Sequence, residues 1–449
     1  QDLDLKDRPR ASERNFCNKV YKDKPITNDD LPPISALVQQ NLEESGARHL
    51  MLITHSDSAI SILGNNIKDM EVMVGSRFAE DCGDDSYTYR VLSKIILCME
   101  TGRRLVLKGL DPIYGALYDM LNQHYTLFGG KRHCRVALGA DSNPMCQVHD
   151  NFRCIVLTDV RDLELSDPPF LNRFEKQLTS FKDALSPPEK ELNRTMVAWS
   201  HTITTVPNTQ WKRDLAFGSY SESTFDDCVI PSLVLSQKHG VDDEITTRCK
   251  RSLFRIMSID AVARSLFSDA DTGETQKDEI KDLVMNYFND TSHANISETL
   301  KRAEKRTAVF TYSSVVNSIA TRDGIQEEFL GHIKSERELE QKLKTFWSAA
   351  THDDKFVLHC DACEDEDHLD LARHKMQAYE EAYYRGSLDP SVKKLQVIII
   401  HLKRGISAGE DDIDGQSFTM DKGVLSFLSG WDQIMVEQLD GSLDDFETI

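Results

Sequence analysis

The sequence lacks several features that would place it in a familiar class. No apolar run approaches the roughly 20 residues that a membrane-spanning helix needs. Its ten cysteines follow no regular spacing, which argues against a disulfide-stapled secreted module and for a reducing compartment. It has no initiating methionine and no signal peptide, and it begins with a polar, charged stretch at Gln1. This beginning predicts an internal piece of a longer protein.

Basic charge is also scarce. The chain has 53 Lys and Arg residues against 74 Asp and Glu residues, a formal net charge of −21. Such a charge repels phosphate backbones, and short basic clusters such as 301–306 lie in mixed or acidic surroundings. Nucleic acid is therefore not expected as a partner. The 14 histidines are dispersed, so no nucleophile constellation is predicted.

The chain does contain an alternation of apolar and amphipathic segments, and it contains it twice. Continuous apolar strands separated by amphipathic helices predict a parallel sheet covered on both faces. The first set comprises strands at 49–54, 71–75, 104–107 and 152–157, with helices at 56–63, 86–101 and 112–127. The second set comprises strands at 308–312, 329–333 (weaker), 355–359 and 395–400, with helices at 315–320, 336–350 and 369–385.

The segment between the two sets reads as helical. Helices are predicted from Pro187, over 248–267 and over 278–288. A helical lid that follows an α/β core resembles the layout of AAA+ ATPases. The expected fold is α/β: a P-loop-type AAA+ core with a doubly wound parallel sheet, a helical lid or insert, and a second, partial AAA+-like unit. The predicted domains are 1–46 (the helical tail of a preceding unit and a linker), 47–182 (a degenerate AAA+ core), 183–306 (the lid or insert) and 307–449 (the second unit).

Four segments, at 99–107, 117–130, 146–156 and 169–176, resemble the mysterin-type family of giant AAA+ ubiquitin ligases. The blocks 117–125 and 169–176 are the specific ones, and a looser similarity continues to about Trp431. The resemblance implies ATP-driven ring dynamics, ubiquitin transfer and a cytosolic or lipid-droplet location for the parent. It also implies ATP and magnesium in neighbouring units and zinc in a RING module, whose cysteines and histidines this chain lacks.

Each α/β unit has a loop after its first strand, where a phosphate-binding loop would lie. Neither loop has the residues that bind phosphate. A phosphate loop needs glycines, a lysine for the β- and γ-phosphates and a hydroxyl for Mg²⁺. The first loop, 54–61, has no Gly or Lys, and its Asp57 places a negative charge where phosphate would lie. The second loop, 312–318, also has neither residue. No cofactor is therefore expected in this segment.

The acids of a catalytic unit are also missing from the third strands. An Asp-Glu pair should follow this strand, to hold Mg²⁺ and to activate water. Lys108 occupies that region in the first unit. In the second unit Asp361 mimics the metal-binding acid or caps a turn, and Ala362 replaces the catalytic Glu. Thr158, after the fourth strand, is either a γ-phosphate sensor or a polar strand end.

Arg173 is the candidate catalytic residue. In AAA+ rings an arginine after the fourth strand stabilises charge on the phosphate of the neighbouring unit, so it can persist where its own pocket is inactive. The segment 170–174 is similar to that element. Arg173 therefore either completes a neighbour's ATP site or makes a structural ion pair with Glu175 or a lid carboxylate.

Part of a zinc-binding spacing occurs at 359–368. His359, Cys360, Cys363 and His368 have part of a zinc spacing, but Cys360 belongs to a buried strand and no second Cys-x-x-Cys pair is present. No metal is expected.

Two other readings stay open. The chain could be an interaction scaffold that binds a protein through its acidic insert 183–306, or part of a dynein- or midasin-type motor. Neighbouring AAA+ units and, through the parent, the ubiquitin machinery are the expected partners.

Overall fold

The computed structural model describes residues 34–437, with short gaps. The gaps are 45, 55–57, 68–69, 140–141, 164–165, 207–212, 218–219, 221–223, 237–242, 269–273, 291–294, 314–323, 349–354, 363, 387–393 and 403–427. The chain divides into two compact units, the first made of 1–73 and 89–184 and the second of 74–88 and 185–449. None of the described helices is both long enough and apolar enough to cross a bilayer.

The first unit contains a five-stranded sheet in the order β2-β3-β7-β1-β8. β1 runs parallel to both of its neighbours, β7 and β8, and β3 runs parallel to β7. This order places strands one and four side by side at the centre. The strands are β1 (Leu50–Thr54), β2 (Met70–Val74), β3 (Arg104–Lys108), β7 (Arg153–Asp159) and β8 (Glu175–Thr179).

Helices cover this sheet as the apolar spacing predicted. The central strands are apolar along most of their length, with Leu52, Val106 and Ile155 at most 1% exposed. Helical residues such as Val38 and Leu63 pack against them in one core cluster. The helices are α1 (Ile34–Glu43), α2 (Ser58–Asn66), α3 (Asp85–Thr101), α4 (Asp111–Tyr114), α5 (Tyr118–Leu121) and α6 (Pro168–Leu171).

A small antiparallel sheet lies between the third and fourth strands of the first unit. It consists of β4 (Thr126–Phe128), β5 (Lys131–Arg135) and β6 (Met145–Val148). The prediction of one helix over 112–127 was therefore wrong at its end. The helix breaks into α4, a 3₁₀ turn and α5, and Gln123 takes a positive φ of 56°. Gly129 and Gly130, also with positive φ, make the β4–β5 turn.

The second unit begins with a helical region. It contains α7 (Pro187–Thr204), α8 (Arg213–Ala216), a π-turn (Phe225–Val229), α9 (Ile230–Leu235), α10 (Asp243–Arg255), α11 (Ile259–Ser265), α12 (Glu274–Asn289) and α13 (Ile296–Arg302). The single helix predicted over 248–267 is two helices. α10 ends at Arg255, and Ser258 caps the start of α11, because its Oγ accepts the Ala261 N–H at 3.2 Å.

The second sheet has the order β10-β11-β12-β9-β13, with every neighbouring pair parallel. Numbered from the first strand of each unit, both sheets have the same order, 2-3-4-1-5. The strands are β9 (Thr307–Thr311), β10 (Ile325–Phe329), β11 (Lys355–Asp361), β12 (Leu395–His401) and β13 (Asp432–Met435), with helices α14 (Glu336–Ser348) and α15 (Glu366–Gly386).

Two details of the second unit differ from the sequence prediction. The weak strand expected at 329–333 lies at Ile325–Phe329, and a 3₁₀ turn (Leu330–His332) follows it. The fifth strand, β13, was not predicted, nor was its counterpart β8. The predicted helix at 315–320 falls outside the described residues.

The helical region and the second sheet share contacts within the second unit. Leu300 of α13 packs in one core with Val309 and Ile434. The Tyr220 hydroxyl donates to Gln433 at 2.7 Å, and Arg255 pairs with Asp432 at 3.3 Å. This unit is therefore continuous across residue 306. The predicted domain boundaries themselves, including the partial nature of the last unit, stay a prediction.

Candidate functional site

The carboxyl edge of the first sheet is where a nucleotide would bind, because parallel strands all end at this edge. Thr54, the last residue of β1, is 3% exposed and lies opposite Asp159 on β7 and Thr179 on β8. The loop that follows includes residues 55–57, which lie outside the described part of the chain. The prediction that this loop cannot hold phosphate therefore stays a prediction.

The core between α1, α2 and β1 is apolar and nearly filled. A cavity of about 10 Å³ remains there, a volume that holds about one water molecule. The cavity is lined by Ile34, Ser35, Val38, Leu52, Ala59, Ile62, Leu63 and Thr179.

The polar strand ends lie where the sequence placed them. Lys108 ends β3 opposite Leu157, and Thr158 lies opposite Ile53; both polar side chains are half-buried. In the second unit the Asp361 carboxylate accepts the Glu364 N–H at 3.2 Å, which is the contact of a turn-capping aspartate. Ala362 is 2% exposed. The second phosphate-loop candidate, 312–318, lies mostly outside the described residues.

Arg173 lies at the opposite, amino edge of the first sheet. β8 begins two residues after Arg173, and Glu175 lies opposite Leu50, the first residue of β1. Thr54 lies four residues along β1 from Leu50, or about 13 Å away at 3.3 Å per residue. Arg173 therefore lies at the end of the sheet remote from Thr54, the residue that precedes the loop of its own unit.

The guanidinium of Arg173 is held by neutral partners. Its Nε donates to Asn122 Oδ1 at 2.7 Å and its Nη1 to the Pro169 carbonyl at 2.8 Å. The guanidinium carbon lies 3.9 Å from the centre of the Tyr118 ring. Among the described residues it has no carboxylate partner, and Glu175 instead accepts from Asn41 at 2.6 Å.

The two segments that carried the family resemblance thus meet around Arg173. Tyr118 and Asn122 belong to the block 117–125, and Arg173 belongs to the block 169–176. A second contact joins the same region, where Phe170 stacks on Tyr114 at 4.8 Å and meets Phe174 edge-on at 5.0 Å. The sequence pattern identified both blocks but gave no signal that they touch.

A buried histidine fixes the block 117–125 to the sheet. His49 Nδ1 accepts the Cys154 N–H at 3.2 Å, so Nε2 carries the proton and donates to the Met120 carbonyl at 3.2 Å. Burial, together with the charge of Arg153, lowers the pKa of His49 to about 4. The sequence analysis missed this histidine.

Three residues of the zinc reading, His359, Cys360 and His368, lie in the described part of the chain, and their side chains do not converge on one point. Cys360 is fully buried and its Sγ donates to the Asp361 carbonyl, while the His368 ring stacks on Phe78 at 4.7 Å. Cys363 lies outside the described residues. Within the described part of the chain, no group of three or more His, Cys, Asp or Glu side chains could hold a metal ion.

Comparison with known proteins identifies similar sequences. Residues 39–185 match the family model described as the RNF213 AAA domain. The chain is 28% identical over 246 residues to the mouse E3 ubiquitin-protein ligase RNF213, which is 52% of this chain and 4% of the relative. It is 30% identical over 193 residues to zebrafish E3 ubiquitin-protein ligase rnf213-beta (40% and 4%) and 27% identical over 243 residues to human RNF213 (49% and 4%).

These findings confirm the resemblance to mysterin-type ligases and the AAA-type fold. The matches cover 40–52% of this chain and about 4% of the length of each relative. The model match, 39–185, includes α1, the first sheet and Arg173 with its partners.

Proposed function

We propose that this chain is a segment of an AAA+ E3 ubiquitin ligase in which neither α/β unit binds or hydrolyses ATP. In this proposal the two units brace the ring of the parent, and Arg173 is presented to the ATP site of a neighbouring AAA+ unit. The observation that carries the proposal is the position of Arg173. It lies at the sheet edge remote from its own loop, within the segment similar to the RNF213 AAA domain.

The absence of ATP chemistry is supported at both carboxyl edges. The first loop, 54–61, offers no Gly or Lys. In the second unit a buried Ala362 stands in the position of the catalytic Glu. A carboxylate to orient water and a lysine to neutralise phosphate are both required for phosphoryl transfer.

Calorimetric titration of the whole chain with Mg·ATP tests this part. We expect no binding at micromolar nucleotide, with ADP and with ATP lacking Mg²⁺ as matched titrations. Micromolar, Mg²⁺-dependent binding would overturn it.

The contacts of Arg173 set the energy needed to release it. A cation–π contact at an exposed site contributes about 0.5–1 kcal/mol, and each hydrogen bond about 1 kcal/mol. A sum of about 3 kcal/mol is within what one phosphate contact in a neighbouring site can offset. The Arg173 side chain can therefore contact Tyr118 and Asn122 in the isolated unit and still move to the ATP site of a neighbouring AAA+ unit.

Steady-state ATPase assays of the full-length parent test the arginine role. Arg173→Ala should lower turnover at the site it serves by on the order of 10³-fold, the effect of losing an arginine finger, with little change in KM. Arg173→Lys should restore little of the turnover, because a lysine ammonium group lacks the planar pair of N–H donors with which a guanidinium binds phosphate. Tyr118→Leu is the matched control, since it removes the resting contact and keeps the arginine.

The outcomes separate the two roles of Arg173. Retained turnover in Tyr118→Leu with loss in Arg173→Ala supports the trans role. Unchanged turnover in Arg173→Ala, with both variants losing thermal stability alike, would leave Arg173 as a structural contact only.

A second candidate function is a protein-interaction scaffold built on the predicted insert 183–306. Exposed apolar side chains favour it, because Phe267 is 72%, Met285 59% and Phe288 50% exposed. Partner capture by the parent should fall in Phe267→Ser with Met285→Ser if this surface binds. Leu97→Ser, at another exposed apolar position (55%), is the matched control.

The remaining properties are assigned to the parent. We propose neighbouring AAA+ units and the ubiquitin machinery as its partners, ATP and Mg²⁺ in active units, and zinc in a RING module elsewhere. A cytosolic site, with lipid-droplet association, is proposed on the same resemblance. Buried free thiols such as Cys98 and Cys249 fit a reducing compartment.

A further inference from the structure

The small antiparallel sheet of the first unit has an inner and an outer face. On the inner face Cys134, Cys146 and Val148 are 1%, 6% and 3% exposed. Side chains alternate between the two faces along a strand, so the residues between these three lie on the outer face. This outer face, called the hairpin face below, carries Phe128, Lys131, His133, Arg135, Met145 and Gln147.

Two large apolar side chains project from the hairpin face. Phe128 is 76% exposed and Met145 is 49% exposed. The Phe128 ring meets the His133 ring edge-on, with 6.1 Å between the ring centres. Aromatic and methionine side chains are enriched in protein interfaces, because their burial against a partner is favourable. Phe128 and Met145 are therefore suited to contact apolar groups of a partner.

The hairpin face is also basic, in a chain whose net charge is −21. Its three strands contain no Asp or Glu. Lys131 Nζ donates to the neutral Gln147 Oε1 at 3.2 Å. Arg135 Nε lies 3.8 Å from Asp119 Oδ2, but 70% of the arginine side chain is exposed, so this ion pair is weak. Both cations can therefore bind carboxylates of a partner.

The apolar and basic side chains form two matched pairs. Phe128 lies opposite Lys131 at one end of β5, and Met145 lies opposite Arg135 at the other end. The two ends are four residues apart, or about 13 Å at 3.3 Å per residue. An extended peptide covers the same distance in four residues. The hairpin face therefore fits a peptide in which an apolar and an acidic residue occur together and recur four positions later.

The turn between β4 and β5 fixes the shape of this face. Gly129 and Gly130 have φ angles of 59° and 78°, the left-handed conformation that a tight two-residue hairpin requires. A Cβ at either glycine would meet no atom within 4 Å, so a partner can approach the turn. On the inner face Arg132 pairs with Asp150 at 2.9 Å and holds β5. A preformed surface loses little conformational entropy on binding.

The number and spacing of the charges favour an acidic polypeptide over a nucleic acid. A phosphate backbone binds through several aligned cations, and it would be repelled by a chain of net charge −21. The hairpin face offers two cations, each beside an apolar side chain. Two carboxylates four residues apart pair with Lys131 and Arg135, and apolar neighbours of those carboxylates pack on Phe128 and Met145.

We propose that the hairpin face is a docking site for an extended acidic segment of another polypeptide. Lys131 and Arg135 bind its carboxylates, and Phe128 and Met145 bury its apolar side chains. This site goes beyond the role proposed for Arg173, and it uses neither that arginine nor the exposed side chains of 183–306.

Fluorescence polarisation with the whole chain tests the docking site. The probe is a labelled peptide made of three Leu-Glu-Gly-Ser repeats, which places apolar and acidic pairs four residues apart. We expect a Kd on the order of 10–100 μM at low salt, as for a small exposed interface, and weaker binding as salt is added. Three Leu-Gln-Gly-Ser repeats should bind about tenfold more weakly. Equal binding of the two peptides would overturn the proposal.

Substitutions on the two faces of the hairpin sharpen the test. Lys131→Gln with Arg135→Gln should weaken binding about tenfold and remove most of its salt dependence. Phe128→Ser should also weaken it about tenfold. Leu127→Ser is the matched control, because Leu127 is 71% exposed in the same strand but lies on the other face. Lys94→Gln, at an exposed position of α3, is the control for charge.

Both control variants should bind the peptide like the wild type. An equal loss of binding in Leu127→Ser and Phe128→Ser would contradict the proposal, because it would assign the whole tip rather than one face. The urea midpoint of each variant should match that of the wild type, which excludes unfolding as the cause of a loss.

Two further probes test other occupants of the same face. They are a single-stranded RNA of twelve nucleotides and vesicles of phosphatidylserine with phosphatidylcholine. We expect neither to bind where the peptide binds. Binding of either one in place of the peptide, lost in Phe128→Ser, would refute the acidic polypeptide as the ligand. None of these results depends on the Mg·ATP titration or on the ATPase activity of Arg173→Ala.

Discussion

His49 should make the first unit lose stability in acid. Its side chain is 1% exposed, and its two ring nitrogens are used by Cys154 and Met120. The pKa of an unfolded histidine is about 6.5, whereas burial, aided by the charge of Arg153, lowers the pKa of His49 to about 4. The folded state thus binds the proton less readily than the unfolded state.

The sign and magnitude follow from this difference. Above about pH 6.5 the His49 ring is neutral in both the folded and the unfolded state, so its burial does not lower the free energy of unfolding. As the pH falls from 6.5 toward 4 only the unfolded state gains the proton, so the free energy of unfolding falls. At 1.36 kcal/mol per pKa unit, the loss between pH 7.5 and pH 5 is about 2 kcal/mol.

The assay must separate the first unit from the second. Urea unfolding followed by pulsed hydrogen exchange and mass spectrometry reports β1 and β7 through their own peptides. His49→Asn is the comparison, because its amide does not titrate and its oxygen can accept the Cys154 N–H. Carboxylates titrate in both proteins, so the difference between the two pH profiles isolates His49.

The expected result is a wild-type profile that is steeper by about 2 kcal/mol over this range. The second unit should show the same profile in both proteins. If the two profiles of the first unit run parallel, the ring is charged or open to water in the folded state, and the reasoning fails.

Three further predictions concern stability and reactivity. Gly102→Ala should destabilise the first unit by about 2–4 kcal/mol in urea unfolding, because Gly102 has a φ of 75° and a Cβ there would lie 2.4 Å from His149 Nδ1. Gly115→Ala is the control. Gly115 lies in open space with a helical φ of −58°, so this substitution should be neutral or stabilising. Lys375→Met should lower the free energy of unfolding of the second unit by about 3 kcal/mol, because it leaves the carboxylates of Glu336 and Glu340 without their shared cation. Lys281→Met is the control. It removes an exposed ion pair with Asp278 and should change the free energy of unfolding little. Iodoacetamide should label Cys82 rapidly, because it alone of the eight described cysteines is exposed. It should label Cys134 only after unfolding, because burial raises the pKa of that thiol to about 12. Peptide mapping measures both, and rapid labelling of Cys134 in the folded chain would contradict the prediction.

The central strands could be predicted from the sequence because they are buried on both faces. β1, β3, β7, β9, β11 and β12 were each placed to within two residues. Of the four edge strands, β2 was placed to within one residue, but the other three were harder to predict. β10 reads Ile-Gln-Glu-Glu-Phe and is half-buried throughout, so its apolar signal is weak, and the prediction moved to the more apolar residues that follow. β8 and β13, also at edges, were missed for the same reason.

The candidate sites were predictable only in part. The position of Arg173 followed from its place after the fourth strand, but its contact with Asn122 joins residues 51 positions apart. Likewise His359 was noticed for a zinc spacing, while its actual partners, Glu327 and His401, come from two other strands. Parallel sheets bring distant residues together at their ends, and no local pattern records which side chains will meet there.

The strand order of the second sheet has a consequence for biosynthesis. β9 pairs with β12 on one side and with β13 on the other. The ribosome synthesises both of these partner strands after β9, so the apolar strand β9 exists for some time without them. More than a hundred residues separate Thr307 from Asp432, which at 5–20 residues per second is on the order of ten seconds. During this interval β9 presents unpaired N–H and C=O groups that can join another nascent chain. We therefore expect synthesis of this protein to depend on chaperones that shield strands until translation has passed Met435.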